Sequence, residues 1–242
     1  NDDGFSAVGI KKLAARLAKD NEVFVVAPMG ERSGTSHSVS FFSGITFRYE
    51  GVIDGIKTWS VSGSPADCVL FGIKYLLKDV KIDAVVSGIN TTLNAGSDII
   101  FSGTFGAAQE GTFQRVPSIA VSLRTHHTDE YEFAADFIAR NLEKLLSFAM
   151  ENVTINVNIP DTKPEKIKGV KIAPVAYQPY DEKYFSQVDE NGVEKYYVDG
   201  HAYKHEDEIA GGDCYQLDRG YITITPVQML ATDKEAMARL KD

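Results

Sequence analysis

The sequence is short of the residues that build metal knuckles, redox pairs and membrane anchors. Only two cysteines occur, Cys68 and Cys214, far apart and outside any Cys-x-x-Cys spacing. That excludes a zinc knuckle or a dithiol pair and leaves two reduced, structural thiols as the expectation. No uninterrupted apolar run approaches the roughly 18 residues of a membrane span. The chain opens Asn1-Asp2-Asp3-Gly4, without the basic start and apolar stretch of a secretory leader, so a cytoplasmic, reducing location is expected. Basic residues are outnumbered 34 to 25, a formal net charge of −9. This excludes general binding to a nucleic-acid duplex and polybasic contact with a membrane. An anionic small molecule stays admissible where a local cation, such as a metal ion, receives it.

What is present reads as one large domain, or one with a small appendage, in 242 residues. The stripe Ile10, Leu13, Ala14, Leu17, Ala18 predicts a helix over 7–19. The apolar run 22–28, ended by Pro28, predicts a buried strand. Ser64-Pro65-Ala66-Asp67 is a helix start: an N-cap Ser, Pro at the first position and Asp three after the cap. Further strands are expected at 82–88, 117–122 and 152–158, and further helices at 103–114 and 131–149. Strands alternating with helices imply βαβ units and a mostly parallel sheet, in which ligands bind beyond the carboxyl ends of the strands. No strand precedes the Asn1-Asp2-Asp3-Gly4 loop, so the expected sheet lacks its first member, and a short piece ahead of Asn1 is the preferred account. From about residue 168 the pattern changes. Residues 169–177 and 220–227 look like strands, 233–241 like a short helix, and 181–218 like extended hairpins outside the sheet, with a turn at Asn191-Gly192.

Four loops carry the chemistry. Asp2 and Asp3, followed by Gly4 just before a helix, can hold a hard divalent cation, although acids ahead of a helix are also ordinary caps. Residues 31–38 are dense in hydroxyls around Arg32 and His37; a lone His makes a poor transition-metal site, and a plain polar turn explains the composition equally well. The loop 87–98 offers Asn90 and Asn94, four apart, with Gly96 and Asp98. Phe101-Ser102-Gly103-Thr104 opens a helix, where free N–H groups and hydroxyls suit a phosphate and Ser102 or Thr104 also suits a simple cap.

Taken in order, Asn1-Asp2-Asp3-Gly4, Ala27-Pro28 with Glu31-Arg32-Ser33-Gly34, Ser62–Cys68, Ser87-Gly88-Ile89-Asn90 with Asn94–Asp98, Ser102-Gly103-Thr104 and Gly220–Pro226 resemble the SurE (survival protein E) nucleotidases along nearly the whole chain. The resemblance implies an α/β, Rossmann-like three-layer sandwich with a mostly parallel sheet over 1–167. It also implies a smaller β-rich C-terminal part over 168–242, whose arms (about 181–218) exchange between subunits in a homodimer or tetramer, with a final strand and helix returning to the core. The implied activity is metal-dependent hydrolysis of nucleoside 5′- and 3′-monophosphates, with polyphosphate a further substrate of some members. The implied metal ligands are Asp2, Asp3, Ser33 and Asn90, with Asp2 and Asp3 catalytic. Asn94, Ser102, Gly103 and Thr104 are the implied phosphate contacts, and Asn1 and His37 are secondary candidates. Met29, Gly30 and Thr92 depart from the residues common in the family, and the supporting first strand is absent.

An all-oxygen ligand set favours one Mg²⁺ or Mn²⁺ ion per subunit over Zn²⁺, acting as a Lewis acid on a phosphoryl oxygen and lowering the pKa of water. Water attack and an aspartyl-phosphate intermediate both stay open. The rivals are a zinc-dependent amide hydrolase, which wants histidines that are absent near Asp2, a haloacid-dehalogenase-like phosphatase, which wants Asp-x-Asp, and a non-catalytic nucleotide-binding protein. The charge is unevenly spread: residues 181–218 hold eleven acids and three bases, −8 of the −9. The catalytic body is close to neutral and can admit a nucleotide.

Overall fold

The computed structural model describes residues 1–125, 128–202 and 211–240. Helix α1 (Val8–Leu17) leads to strand β1 (Phe24–Pro28), then to a hairpin of β2 (Phe47–Ile53) and β3 (Ile56–Val61). Helix α2 (Pro65–Phe71) runs into a π-helical turn at Gly72–Leu76. It is followed by β4 (Val85–Asn90), α3 (Gly103–Phe113), β5 (Ser118–Leu123), α4 (Thr128–Phe148) and β6 (Val153–Ile159). The remainder is β7 (Val170–Ile172), the pair β8 (Tyr180–Val188) and β9 (Glu194–Ala202), α5 (Asp213–Asp218), β10 (Ile222–Gln228) and α6 (Lys234–Arg239).

The strands form an α/β architecture with most pairings parallel. One sheet has the order β1-β3-β2, another β4-β5-β6-β10-β7. Only β2–β3 and β6–β10 run antiparallel within these two sheets. Helices lie on both sides. Leu13 and Leu17 of α1 and Ala134, Ala135, Ile138 and Leu145 of α4 pack on Ile119, Val121, Ile155 and Val157. Phe105 and Ala108 of α3 cover Ala120 on the opposite face.

That opposite face is unusual in being polar and buried. Ser118, Ser122, Thr154, Asn156, Asn158, Thr223 and Thr225 alternate along β5, β6 and β10, all at 0–1% exposure. Their alternation would place them in water if only one face of the sheet were covered.

Between the open edges of β1 and β4 lies an apolar cleft of about 360 Å³, lined among others by Leu13, Leu17, Val26, Val69, Ile73 and Val86.

The local signals explain the element starts. Ser64 and Asp67 form a reciprocal capping box, with Pro65 at the first helical position. The buried Asp67 carboxylate also accepts from Ser40 N (2.9 Å) and Ser40 Oγ (2.8 Å), which staples the loop before β2 to α2. The β2–β3 turn uses Asp54 and Gly55, both at positive φ, the geometry that Asp-Gly favours.

The C-terminal part divides differently from the expected arm. The hairpin covers Tyr180–Ala202 and forms its own two-stranded sheet. Asp213–Asp218 is instead a helix with Asp213 and Leu217 buried against the body, and residues 203–210 of the expected arm lie outside the described residues. Strand β10 returns to the main sheet, whereas α6 buries no residue.

Candidate metal and phosphate site

The chemistry-bearing loops meet at one end of the sheets. Gly4 adopts φ +93°, and a Cβ there would lie 3.2 Å from the Gly30 backbone, so the turn after Asp3 requires glycine. The Phe5 N–H donates to Pro28 O at 2.9 Å and Arg32 N–H to Asp2 O at 2.7 Å, which fastens the first loop to the one after β1. Gly103 closes the other side: a Cβ on it would sit 3.1 Å from Asp2 Cβ and 3.0 Å from Pro65 Cγ. The start of α3 therefore rests directly on Asp2.

Asp2 is buried and clamped. Its N–H donates to Thr104 Oγ1 at 3.2 Å, and the Thr104 hydroxyl donates to Asp2 Oδ1 at 2.8 Å. The Thr104 hydroxyl is spent on the carboxylate, so what this residue offers a phosphate is its backbone N–H. Ser102 caps α3 by accepting from Phe105 N at 2.9 Å, and its own proton stays free to donate. The first N–H groups of a helix have no intrahelical acceptor, and here those of Gly103 and Thr104 lie beside the Asp2 carboxylate. Asp3 is half-buried and accepts from Thr91 Oγ1 at 3.2 Å and from Asn1 Nδ2 at 3.4 Å. Burial, and after it the neighbouring Asp2 charge, pushes its carboxyl above the usual range.

Asn90 ends β4. Its Nδ2 donates to Thr92 O (2.9 Å) and Thr92 Oγ1 (3.1 Å), which leaves Oδ1 uncommitted. Thr92, a departure from the family pattern, thus orients this side chain. Ser33 stands apart: it is exposed and its hydroxyl donates to Glu31 Oε1 at 3.0 Å. Asn94 is buried and turns its Nδ2 inward to Ser122 Oγ at 2.7 Å. Asn1 is buried too, and its Oδ1 has no hydrogen-bond partner.

A hard divalent cation fits this set. Every candidate donor is oxygen, two are neighbouring carboxylates, and Asn1 Oδ1 and Asn90 Oδ1 are uncommitted. Among the described residues no group of three or more His, Cys, Asp or Glu side chains gathers, so a cation here would rest on two carboxylates and neutral oxygens. Burial pushes the thiols of Cys68 and Cys214 up to about 12, so neither is a nucleophile at neutral pH.

His37 faces α3, with Nε2 2.7 Å from Glu110 Oε2 and Nδ1 3.0 Å from Gln109 Oε1. Both ring nitrogens are engaged, which fastens the loop 31–38 to α3. The Glu110 carboxylate holds its pKa above the ordinary imidazole value. A raised histidine contributes stability fully below its unfolded pKa of about 6.5 and loses it as pH rises through the folded value. An NMR titration of His37 is expected to show a midpoint above about 6.5, and His37→Gln is expected to remove the matching fall in melting temperature. A midpoint at or below 6.5 contradicts the ion pair.

Sequence reasoning missed the residues that support the site from beneath. Asp213, fully buried, accepts from Gly96 N (3.0 Å), Ala176 N (2.9 Å) and Cys214 N (2.9 Å). Tyr180 Oη donates to Asp98 Oδ2 at 2.5 Å, which ties the root of the hairpin to the loop after Asn94. An acid one residue after Gly211-Gly212 was the available sign of a helix start.

Comparison with known proteins agrees with the geometry. The profile of the family described as survival protein SurE matches residues 1–182. A protein named 5′-nucleotidase SurE from Clostridium botulinum is 38% identical over 230 residues, 94% of this chain and 90% of that protein. One of the same name from Alkaliphilus metalliredigens is 37% identical over 248 residues, 100% of this chain and 96% of that protein. The crystal structure of a SurE protein from Aquifex aeolicus superposes with a TM-score of 0.81 at 33% identity, covering 100% of this chain and 98% of that one.

Proposed function

Because the chain belongs to the SurE family, we propose that it is a nucleotidase, a divalent-metal-dependent phosphomonoesterase acting on nucleoside monophosphates. The observation that carries this reading is the seat of Asp2 against the open N-terminus of α3, with Asp3 adjacent in the same loop, so that carboxylates for a cation lie near N–H groups for a phosphate.

Asp2, Asp3 and Asn90 would hold the ion, and Ser33 would be a further ligand if its hydroxyl were released from Glu31. The ion, Mg²⁺ or Mn²⁺ and one per subunit, supplies Lewis acidity toward a phosphoryl oxygen when bound. The protein's own groups do the rest. The N–H groups of Gly103 and Thr104 and the Ser102 hydroxyl donate to the phosphoryl oxygens as charge builds there. Thr104 keeps Asp2 in place throughout. Asp3, the more exposed carboxylate, is the one that water reaches, and it accepts the proton of the attacking water. Asn94 contributes through the hydrogen of Nδ2 not given to Ser122. Both 5′- and 3′-monophosphates are substrates in this reading, and polyphosphate is a further one.

The partner is a second copy. The β8–β9 hairpin exposes Tyr184, Phe185, Val188, Tyr196 and Val198, and an isolated two-stranded hairpin is not self-sufficient. This supports a homodimer or tetramer through the hairpins, which a single-subunit mass by light scattering would contradict. No helix among the described residues is long and apolar enough to cross a membrane, which is compatible with the proposed cytoplasmic site of action.

The deciding experiment measures released phosphate from 5′-AMP, 3′-AMP, GMP and polyphosphate with Mg²⁺, Mn²⁺ and Zn²⁺ in turn. Metal-dependent release from the monophosphates is expected. Tight AMP binding with no release under any metal would replace catalysis by simple nucleotide binding. Zinc-dependent activity confined to N-acetyl sugars would favour the amide hydrolase.

A further inference from the structure

The loop carrying Asn94 is fastened in a way that helix and sheet geometry does not require. Asn94 N–H donates to Asn158 Oδ1 at 2.9 Å, and Asn158 Nδ2 donates back to Asn94 O at 3.1 Å. Asn156 Nδ2 donates to the same Asn94 O at 2.8 Å. Ser122 Oγ accepts from Asn94 Nδ2 at 2.7 Å. Ser122 and Asn158 are directly paired across β5 and β6, and Asn156 lies one pleat away on the same face. All three supporting residues are at 0% exposure.

Burying such amides costs free energy unless every group is paired, and apolar side chains would fill this face at lower cost. One of the groups is left unpaired here, since Asn156 Oδ1 has no partner. What the three residues accomplish together is specific to one target. They take both backbone polar groups of Asn94 and one side-chain hydrogen, and so fix its position from beneath. Asn94 lies between Asn90, at the end of β4, and Asp98, which is tied to Tyr180.

We propose that Asn158, with Asn156 and Ser122, is a positioning residue for substrate phosphate, acting through Asn94. This rests on the nucleotidase reading given above. The three residues touch neither metal nor substrate. Their role is to hold the remaining Asn94 Nδ2 hydrogen at a fixed point.

The test compares two variants of the same strand. Asn158→Ala removes the reciprocal pair, and Val157→Ala trims the opposite, apolar face of β6. Each is measured for melting temperature, for KM and kcat on 5′-AMP with saturating Mn²⁺, and for the Mn²⁺ concentration giving half-maximal rate. Asn158→Ala is expected to raise KM about tenfold or more, the scale of a small displacement of a binding group. kcat and metal dependence should change much less, and Val157→Ala should leave KM in place despite its own loss of stability. Asn156→Ala should follow Asn158→Ala in milder form, which keeps the test alive if Asn158→Ala does not fold. Equal movement of KM in both strand positions, or none in the asparagine variants, overturns the positioning role. If the parent protein releases no phosphate from 5′-AMP, it is the nucleotidase reading that fails instead.

Discussion

Asp3→Asn is expected to cut phosphate release by about 10²–10⁴-fold or more, the range spanned by loss of a positioned proton acceptor, while the protein stays folded. The folded state does not depend on the Asp3 charge. The side chain is half-buried, and it sits against Asp2 with only weak hydrogen bonds from Thr91 and Asn1. Making it neutral removes a like-charge repulsion and keeps the shape. What is lost is half of the carboxylate charge proposed to receive the cation. A ligand that binds only the native state stabilises it by about 2.7 kcal/mol at a hundred times its Kd. Mn²⁺ should therefore raise the melting temperature of the parent protein and leave that of Asp3→Asn almost unmoved. Melting curves with and without Mn²⁺, alongside phosphate release, check both halves. Near-normal turnover in the variant would remove Asp3 from the site.

The largest expected loss of stability is at Asp213. One fully buried carboxylate accepts three backbone N–H groups from the loop at Gly96, the segment at Ala176 and the start of α5. Alanine leaves all three donors unpaired, each worth about 1–3 kcal/mol when buried. Water entering the space returns part of that, so Asp213→Ala is expected to cost about 3 kcal/mol or more. For a chain of this size the shift in melting temperature is about 6–12 °C. Asp213→Asn, which keeps one acceptor oxygen, should fall between the two. A shift of under about 2 °C for alanine would show that the three contacts are not what holds the loop to the C-terminal part. The loss should reach activity as well, because Gly96 is two residues from Asn94.

The site was legible where local chemistry and position coincide. Ser64-Pro65-Ala66-Asp67 announces a cap and forms one. The rule that ligands sit beyond strand ends directs attention to Asp2, Asp3, Asn90 and Ser102, and the fold brings their loops together. Three features were not legible, each for a physical reason. The β2–β3 hairpin interrupts its apolar residues with Arg48, Glu50 and Lys57, so its apolar signal is weak, although Asp54-Gly55 marks its turn. Asn156 and Asn158 alternate with Val and Ile as solvent-facing residues do. Only the covering by α3 and the neighbouring loop makes them interior, and tertiary covering leaves no trace in a local pattern. The use of the Thr104 hydroxyl by Asp2 depends on a contact 102 residues apart in the chain.

The two buried faces of the main sheet imply two different rules of substitution along the same strands. On the α1–α4 side, Ile119, Val121, Ile155 and Val157 interact by shape alone, so exchange among Val, Ile and Leu should be tolerated as long as volume is conserved. On the side holding Ser122, Asn156 and Asn158, size matters less than the count of donors and acceptors, because each replacement strands a neighbour's polar group in the interior. A library randomised along β6 should therefore return survivors that drift at every second position and stay frozen at the positions between. The frozen ones are the polar residues, which inverts the usual expectation that a protein's interior varies within hydrophobic limits and its polar positions vary freely.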